Sequence, residues 1–496
     1  MAEMQIASNY MGLSDIYMSD FVTLVKNAVR ARINLIQKPG EKITDPEVQE
    51  RLIEGIKHPG LSSTPIMNTP FLGFGKPGIG KTEVMRSMAQ YFKTNDYGIP
   101  IKVGVKEVRL GSFQDTDITG LPNFYKKETE NGEKIFTEFA PLKLLPITKE
   151  DGGDDEDFGI LVLDEITTCS AQVRTIALQL LDSSRALGAG YKLPDGWTIV
   201  ALGNGENDGA DFMGFKSTHI SRFIGFNIMP DKDMWFAWAR DAGVHPAVYG
   251  YLKLHDDKLF TLPPDTAEES CYQFATPRTW KAASDALILN EKSFGGNIPP
   301  HLITALISGC IGINIASEVS AFYKYKKDII PIEEILDGSV MKKHSLSEIK
   351  VESLYLGQDS IIKEILAIGK RNEDKLASRN KKSGIGNGKS QFVFGASGAS
   401  KSKSAEQVLD PEDAKKIANI FKFIFWCENI KGGGALDWIT DTLTNFKEKA
   451  DKDNNSIMTY IVETTGPFYQ DCPEFHKFST AHADLMQIIR LGAVDF

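Results

Sequence analysis

FLGFGKPGIGKTEVMRSMAQYF, residues 71–92, sets an apolar run, a glycine-rich turn and a Lys-Thr pair ahead of an amphipathic stretch. Within it GKPGIGKT, Gly75 to Thr82, fits G-x-x-x-x-G-K-[ST] in full. Each residue type has a mechanical reason. Glycines let backbone N–H groups turn inward and cup phosphates where a side chain would block the approach. Lys81 reaches the terminal phosphates, and the Thr82 hydroxyl can ligate Mg²⁺. The helix that follows aims the positive end of its dipole at the anion. A glycine-rich strand–helix turn that binds nothing is the alternative. The complete motif, with a strand before it and a helix after it, decides for a nucleotide. The expected contacts are Gly75, Pro77, Gly78, Ile79, Gly80, Lys81, Thr82 and Glu83.

A phosphate cradle alone makes a binder. Hydrolysis of ATP also needs an acid on the metal, a base for water and cations to offset transition-state charge. GILVLDEI, residues 159–166, supplies the first two: Asp164 ends a buried strand and can hold Mg²⁺ with Thr82, and Glu165 follows to polarise water. Chance apolar runs ending in Asp-Glu are common. This one comes about eighty residues after a complete phosphate loop, and loops at the strand ends of one parallel sheet meet. TIVALGNGEND is a further buried strand ending in Asn204, whose amide can position water and touch the γ-phosphate; a turn-forming Asn before Gly205 is the plainer reading. HISRFIGF places Arg222 at a helix end, and ATPRTW places Arg278 at the start of another. Self-solvating arginines are the bland alternative. In order and spacing they suit a finger reaching a neighbouring subunit's nucleotide and a sensor from a helical lid.

The other features set bounds. The 496 residues suffice for about three domains, and the chain is 42% hydrophobic and 25% charged. A net charge of −10 and a pI near 5.5 argue against a surface built wholly for nucleic acid. Five scattered cysteines, without a CxxC pair, fit reduced thiols in a cytoplasm and offer neither zinc framework nor disulfide ladder. The N-terminus carries Glu3 and Asp15 with no basic start and apolar block, so it is not a signal peptide. HLITALISGCIGINIASEVSAF is interrupted by Ser308, Asn314 and Glu318 and reads as one buried core helix in a soluble protein.

Between Pro70 and about Pro230 the runs PFLGF, EVRLGS, GILVLDE and WTIVALGN alternate with helical patterns. Short and apolar throughout, they suit a parallel sheet covered by helices on both faces. The expected fold is therefore α/β, with an all-α lid and helical extensions at both ends. The expected organisation is a helical leader at 1–60, a nucleotide-binding core at 61–232 and a helical lid at 233–330. A helical extension at 331–380, a Gly/Ser/Lys-rich linker at 381–408 and a C-terminal helical region at 409–496 follow. Two loop-like stretches in the linker, SGIGNGKS and GASGASKS, carry Ser383 and Ser400 where glycines belong, and neither qualifies as a second site.

With these residues assembled, the chain resembles the AAA+ ATPases and, among them, the MoxR-like branch with an insertion in helix 2. The likeness spans about residues 68–289 and rests on GKPGIGKT, LVLDEI, ALGN, SRF and TPRTW in the expected order. It implies a homo-oligomeric ring, a hexamer, using ATP and Mg²⁺ to remodel or activate a protein client. LGSFQDTDITGLPNFYKKETENGEKIFTEFAPL reads as a strand, a short helix and a hairpin turning at Asn131-Gly132, a type I′ signal. In the family such a hairpin faces a ring's pore, making Phe124, Tyr125 and Phe136 candidates to touch a client; packing against the core is the competing reading. LLDSSRALGAGYKLPDGW resembles the branch's second hairpin, with Arg185 a candidate contact across a subunit boundary. MoxR-like proteins work beside a von Willebrand factor A-domain partner, whose D-x-S-x-S site is absent here: DGSVM at Asp337 lacks the second serine. Such a partner would act in trans. A nucleic-acid motor on the same fold, and a nucleotide-gated scaffold with little turnover, are the alternatives.

Overall fold

The computed structural model describes residues 12–36, 70–93, 100–129, 132–140, 144–147, 153, 156, 158–182, 184–187, 191–205, 215–261, 273–382, 411–431, 433–452 and 473–483. The chain divides into two units, Met1–Met234 with Thr276–Arg278, and Trp235–Ala275 with Thr279–Phe496.

The first unit begins with strand β1 (Ser14–Tyr17) and helix α1 (Met18–Ile36), then β2 (Phe71–Phe74), α2 (Lys81–Met88), β3 (Val103–Arg109) and α3 (Asp115–Thr119). A hairpin of β4 (Leu121–Thr129) and β5 (Gly132–Ala140) precedes β6 (Phe158–Asp164) and α4 (Ala171–Ala177). A second, short hairpin of β7 (Ala186–Leu187) and β8 (Tyr191–Lys192) leads to β9 (Trp197–Gly203), α5 (Ser217–Ile220) and β10 (Ile224–Met229). Six strands form one sheet in the order β1-β10-β2-β9-β6-β3, and every neighbouring pair is parallel. All residues of β2 and β9 are buried, as are those of β6 up to Leu163. Burial on both faces explains why these strands read as unbroken apolar runs rather than alternating ones.

The structure differs from the sequence reading in three places. The leader is not helical throughout: Ser14–Tyr17 joins the sheet edge as β1, pairing with β10. Four residues are too few to show a period of two against a neighbouring helix. The apolar segment 301–322 is two helices, Pro300–Ile311 and Ile313–Tyr323, broken at Gly312 with φ of 88°. The β4–β5 register pairs Thr129 with Gly132, so the hairpin closes one residue earlier than an Asn131-Gly132 centre; residues 130 and 131 lie outside the described residues. Neither aromatic face of that hairpin packs on the core. Phe124 is 68% and Ile135 69% exposed, while Tyr125 stacks on Phe136 across the strands at 5.8 Å.

The second unit is helical among the described residues: α6 (Lys232–Asp241), α7 (Pro246–Leu254), α8 (Pro277–Ser293), α9 (Pro300–Ile311), α10 (Ile313–Tyr323), α11 (Ile332–Asp337) and α12 (Val340–Lys343). There follow α13 (Val351–Lys382), α14 (Pro411–Trp426), α15 (Ala435–Lys452) and α16 (Pro473–Ala481). The stretches expected as lid, extension and C-terminal region share one core, in which Tyr251, Trp280, Tyr355, Phe421 and Trp438 are essentially inaccessible. Residues 383–410, with most of the expected linker and both rejected loop-like stretches, lie outside the described residues. No helix among the described residues is long and apolar enough to cross a membrane.

Candidate nucleotide site

Strands β2, β9 and β6 are consecutive in the sheet and parallel. Their carboxyl ends therefore open on one edge, spaced by about 4.8 Å per strand. Gly75, Asn204 and Glu165 are the residues that leave those ends. The crevice outside the carboxyl ends of a parallel sheet is where such folds bind ligands.

The loop between β2 and α2 turns through two left-handed residues, Gly78 at φ 79° and Gly80 at φ 99°. A residue with a Cβ would be strained at either. Gly80 caps α2, and the first turn closes with Val84 N–H donating to Gly80 O at 3.0 Å. The remaining N–H groups of a helix's first turn point outward along the axis. Gly78 and Ile79 are buried, and Ile79 lies back beneath Gly75.

Lys81 is 7% exposed. Its ammonium donates to Gly75 O (2.5 Å), Lys76 O (3.0 Å) and Asn204 Oδ1 (3.0 Å). Two of these three oxygens belong to the loop itself, so phosphate oxygens can take their place without leaving Lys81 unsatisfied. Asn204 thus faces Lys81, and its own N–H donates to Thr167 Oγ1 at 3.2 Å. Thr82 Oγ1 donates to Asp164 Oδ2 at 2.7 Å, and Asp164 Oδ1 accepts from Glu165 N–H at 2.9 Å. Among the described residues no cluster of three His, Cys, Asp or Glu could hold a metal. One carboxylate beside one hydroxyl fits Mg²⁺, which keeps waters and takes the rest of its octahedron from substrate phosphates.

Glu165 is exposed and adopts φ of 58°. A left-handed non-glycine residue costs about 1–3 kcal/mol and marks a position the surroundings over-determine. The site has a member that the sequence reading missed. Arg109 ends β3 in register with Asp164 and donates to Glu107 at 2.7 Å, while Arg86 of α2 donates to the other oxygen of Glu107 at 2.7 Å. Burial opposes ionisation of Glu107, but the hydrogen bonds from Arg109 and Arg86 outweigh it and hold its carboxyl below the usual carboxylate range. The signal was available: Glu107 and Arg109 are two apart on a strand and so share a face, and Arg86 lies one helical turn beyond Thr82. Glu83, expected at the nucleotide, is exposed and pairs with Arg86 at 3.0 Å.

The arginines divide. Arg278 stands at the loop: its N–H donates to Gly78 O at 3.2 Å, and its side chain is exposed. Arg222 follows α5, and its guanidinium pairs with Asp182 at 2.8 Å and Leu178 O at 3.4 Å, with 43% of the side chain exposed. Arg185 corrects an expectation. It is 5% exposed, and its Nη2 donates to the Pro194 and Trp197 carbonyls. Burial pushes its pKa below the usual guanidinium value. A guanidinium tied down this way braces the β7–β8 hairpin against β9 and does not reach a second subunit.

No family model matches the chain, and no curated protein matches it. Among solved structures the chain is similar to PCH-2 of C. elegans, at 12% identity with a TM-score of 0.27, over 62% of this chain and 68% of that one. It is also similar to Hsp104, in a closed-state reconstruction with ATPγS and FITC casein, at 12% identity with a TM-score of 0.25. That match covers 65% of this chain and spans 49% of the other. At these TM-scores the likenesses carry no part of the account; the geometry above does.

Proposed function

We propose that the chain is an ATPase of the AAA+ kind. One observation carries the reading: Lys81, Thr82, Asp164, Glu165 and Asn204, from three separate segments, converge at the carboxyl ends of three adjacent parallel strands. In this reading the loop N–H groups and Lys81 hold the β- and γ-phosphates of ATP. Thr82 and Asp164 hold Mg²⁺, which when bound neutralises charge on those phosphates. Glu165 takes a proton from the attacking water, and Asn204 orients Lys81 and the γ-phosphate. Arg278, whose N–H bonds to Gly78 O, acts as the sensor at that end of the loop.

The finer reading is a MoxR-like homo-oligomeric ring, a hexamer, that remodels a protein client in the cytoplasm. Two features support it. Arg222 is exposed and held by a single carboxylate, Asp182, as suits a finger serving a neighbour's nucleotide. The β4–β5 hairpin displays Phe124, Tyr125, Ile135 and Phe136 to solvent, as suits contact with an unfolded or docking protein. A von Willebrand factor A-domain partner would act in trans. Burial raises the Cys169 and Cys427 thiols, which fits inert, reduced cysteines.

Glu165→Gln tests the site. ATP binding is expected to survive, while turnover falls about 10²–10⁴-fold, the usual weight of a general base. Turnover at the wild-type rate would remove Glu165 from that role.

A further inference from the structure

Glu165 rests against a glycine that the phosphate-loop motif does not contain. Gly111 follows β3, and a methyl group placed on it would stand 2.5 Å from Glu165 Oε2, 2.7 Å from Thr168 Oγ1 and 3.3 Å from Glu165 Cβ. No side chain larger than hydrogen fits there with the carboxylate in place. Gly111 does not have a positive φ, so its backbone conformation is open to any residue. The glycine therefore supplies room, not a turn. The other wall of this niche is Thr168, whose N–H and hydroxyl both donate to the Glu165 carbonyl at 3.1 Å. Thr168 thus holds the Glu165 backbone, and the space over Gly111 admits its carboxylate. This arrangement accompanies the left-handed φ of 58° at Glu165.

We infer that Gly111 is a positioning residue: the absent side chain is the niche that sets where the Glu165 carboxylate stands. The inference rests on the reading of Glu165 as the base that activates water. A general base must lie within hydrogen-bond reach of its proton, and small misplacements are costly. Gly111→Ala is accommodated by side chains and not by backbone: Glu165 Oε2 and the Thr168 hydroxyl, the two atoms within 3 Å of the new methyl, both have to turn away from it.

Two measurements test this. In a crystal structure of Gly111→Ala the carboxylate is expected to move beyond 3.4 Å from the new methyl, the start of ordinary contact; an unmoved carboxylate with a shifted 110–112 backbone overturns the inference. In steady-state kinetics Gly111→Ala is expected to lower kcat about tenfold or more, with affinity for a fluorescent ATP analogue unchanged. In a background of Thr168→Ala, which removes the other close contact of the methyl, the double variant Gly111→Ala/Glu165→Asp is expected to turn over as fast as Glu165→Asp, the shorter carboxylate lacking the Oε2 that meets the methyl. Losses that multiply in the double variant overturn the inference. A wild-type chain that hydrolyses no ATP removes the base reading instead, and the crystallographic result then decides the niche alone.

Discussion

Asp164 does two things at once: it accepts the Thr82 hydroxyl and the Glu165 N–H on its two oxygens. Asp164→Asn keeps the shape and removes the charge that would hold Mg²⁺. The expected outcome is ATP binding that no longer responds to magnesium and hydrolysis reduced by at least about 10²-fold, read by titrations with and without the metal. Affinity that still rises with magnesium as in the wild type would contradict it. Lys81, Thr82, Asp164 and Glu165 were legible in the sequence because each sits in a contiguous motif whose spacing is imposed by the phosphate. Arg86, Glu107, Arg109 and Gly111 were not singled out. The spacing of Glu107 and Arg109 on one strand face was readable, but bringing these residues to the end of β6 depends on β3 lying beside it in a particular register, which local spacing does not encode.

The elements show the same divide between local and distant causes. Phe71–Phe74, Phe158–Asp164 and Trp197–Gly203 were legible as strands from apolar runs bounded by turns. β1 was not, because Ser14–Tyr17 becomes a strand only through β10. The leader nonetheless belongs to the nucleotide unit. Phe21 of α1 is fully buried, edge-on to Phe71 and Phe226 at 6.2 Å each. Val25, Val29 and Ile33 continue its buried stripe, whereas Leu24 is 37% exposed. Phe21→Ala should destabilise this unit by about 3–5 kcal/mol, lowering its urea midpoint. A midpoint unchanged within error would mean that the leader is not part of the folded core.

At the scale of the whole molecule, the helical unit carries a pH response of its own. In the helical unit, burial alone would raise the Glu291 carboxyl. Hydrogen bonds from His245, Lys326 and Tyr323 outweigh it and bring the carboxyl down to about 2 from an ordinary 4.5. A depressed carboxyl stabilises the folded form above its unfolded value, and that contribution is lost as pH falls from 4.5 toward 2. Glu291→Gln should therefore cost stability at pH 7 and little at pH 2, as read by denaturant midpoints at the two values; an equal cost at both would refute the assignment. Ring assembly has its own test. Arg222→Ala and Lys81→Ala chains, each inactive alone, should regain part of the rate when mixed, and no recovery at any ratio would argue against a shared site. The proposed pocket does not depend on a ring: Lys81 and the paired acids are expected to grip ATP within one chain. The direct measurement is a titration of fluorescent ATP with magnesium into wild-type and Lys81→Ala chains. Removing a charge-assisted contact worth about 1.5–3 kcal/mol should weaken binding roughly 10–150-fold. Equal affinity in the two chains would contradict the claim.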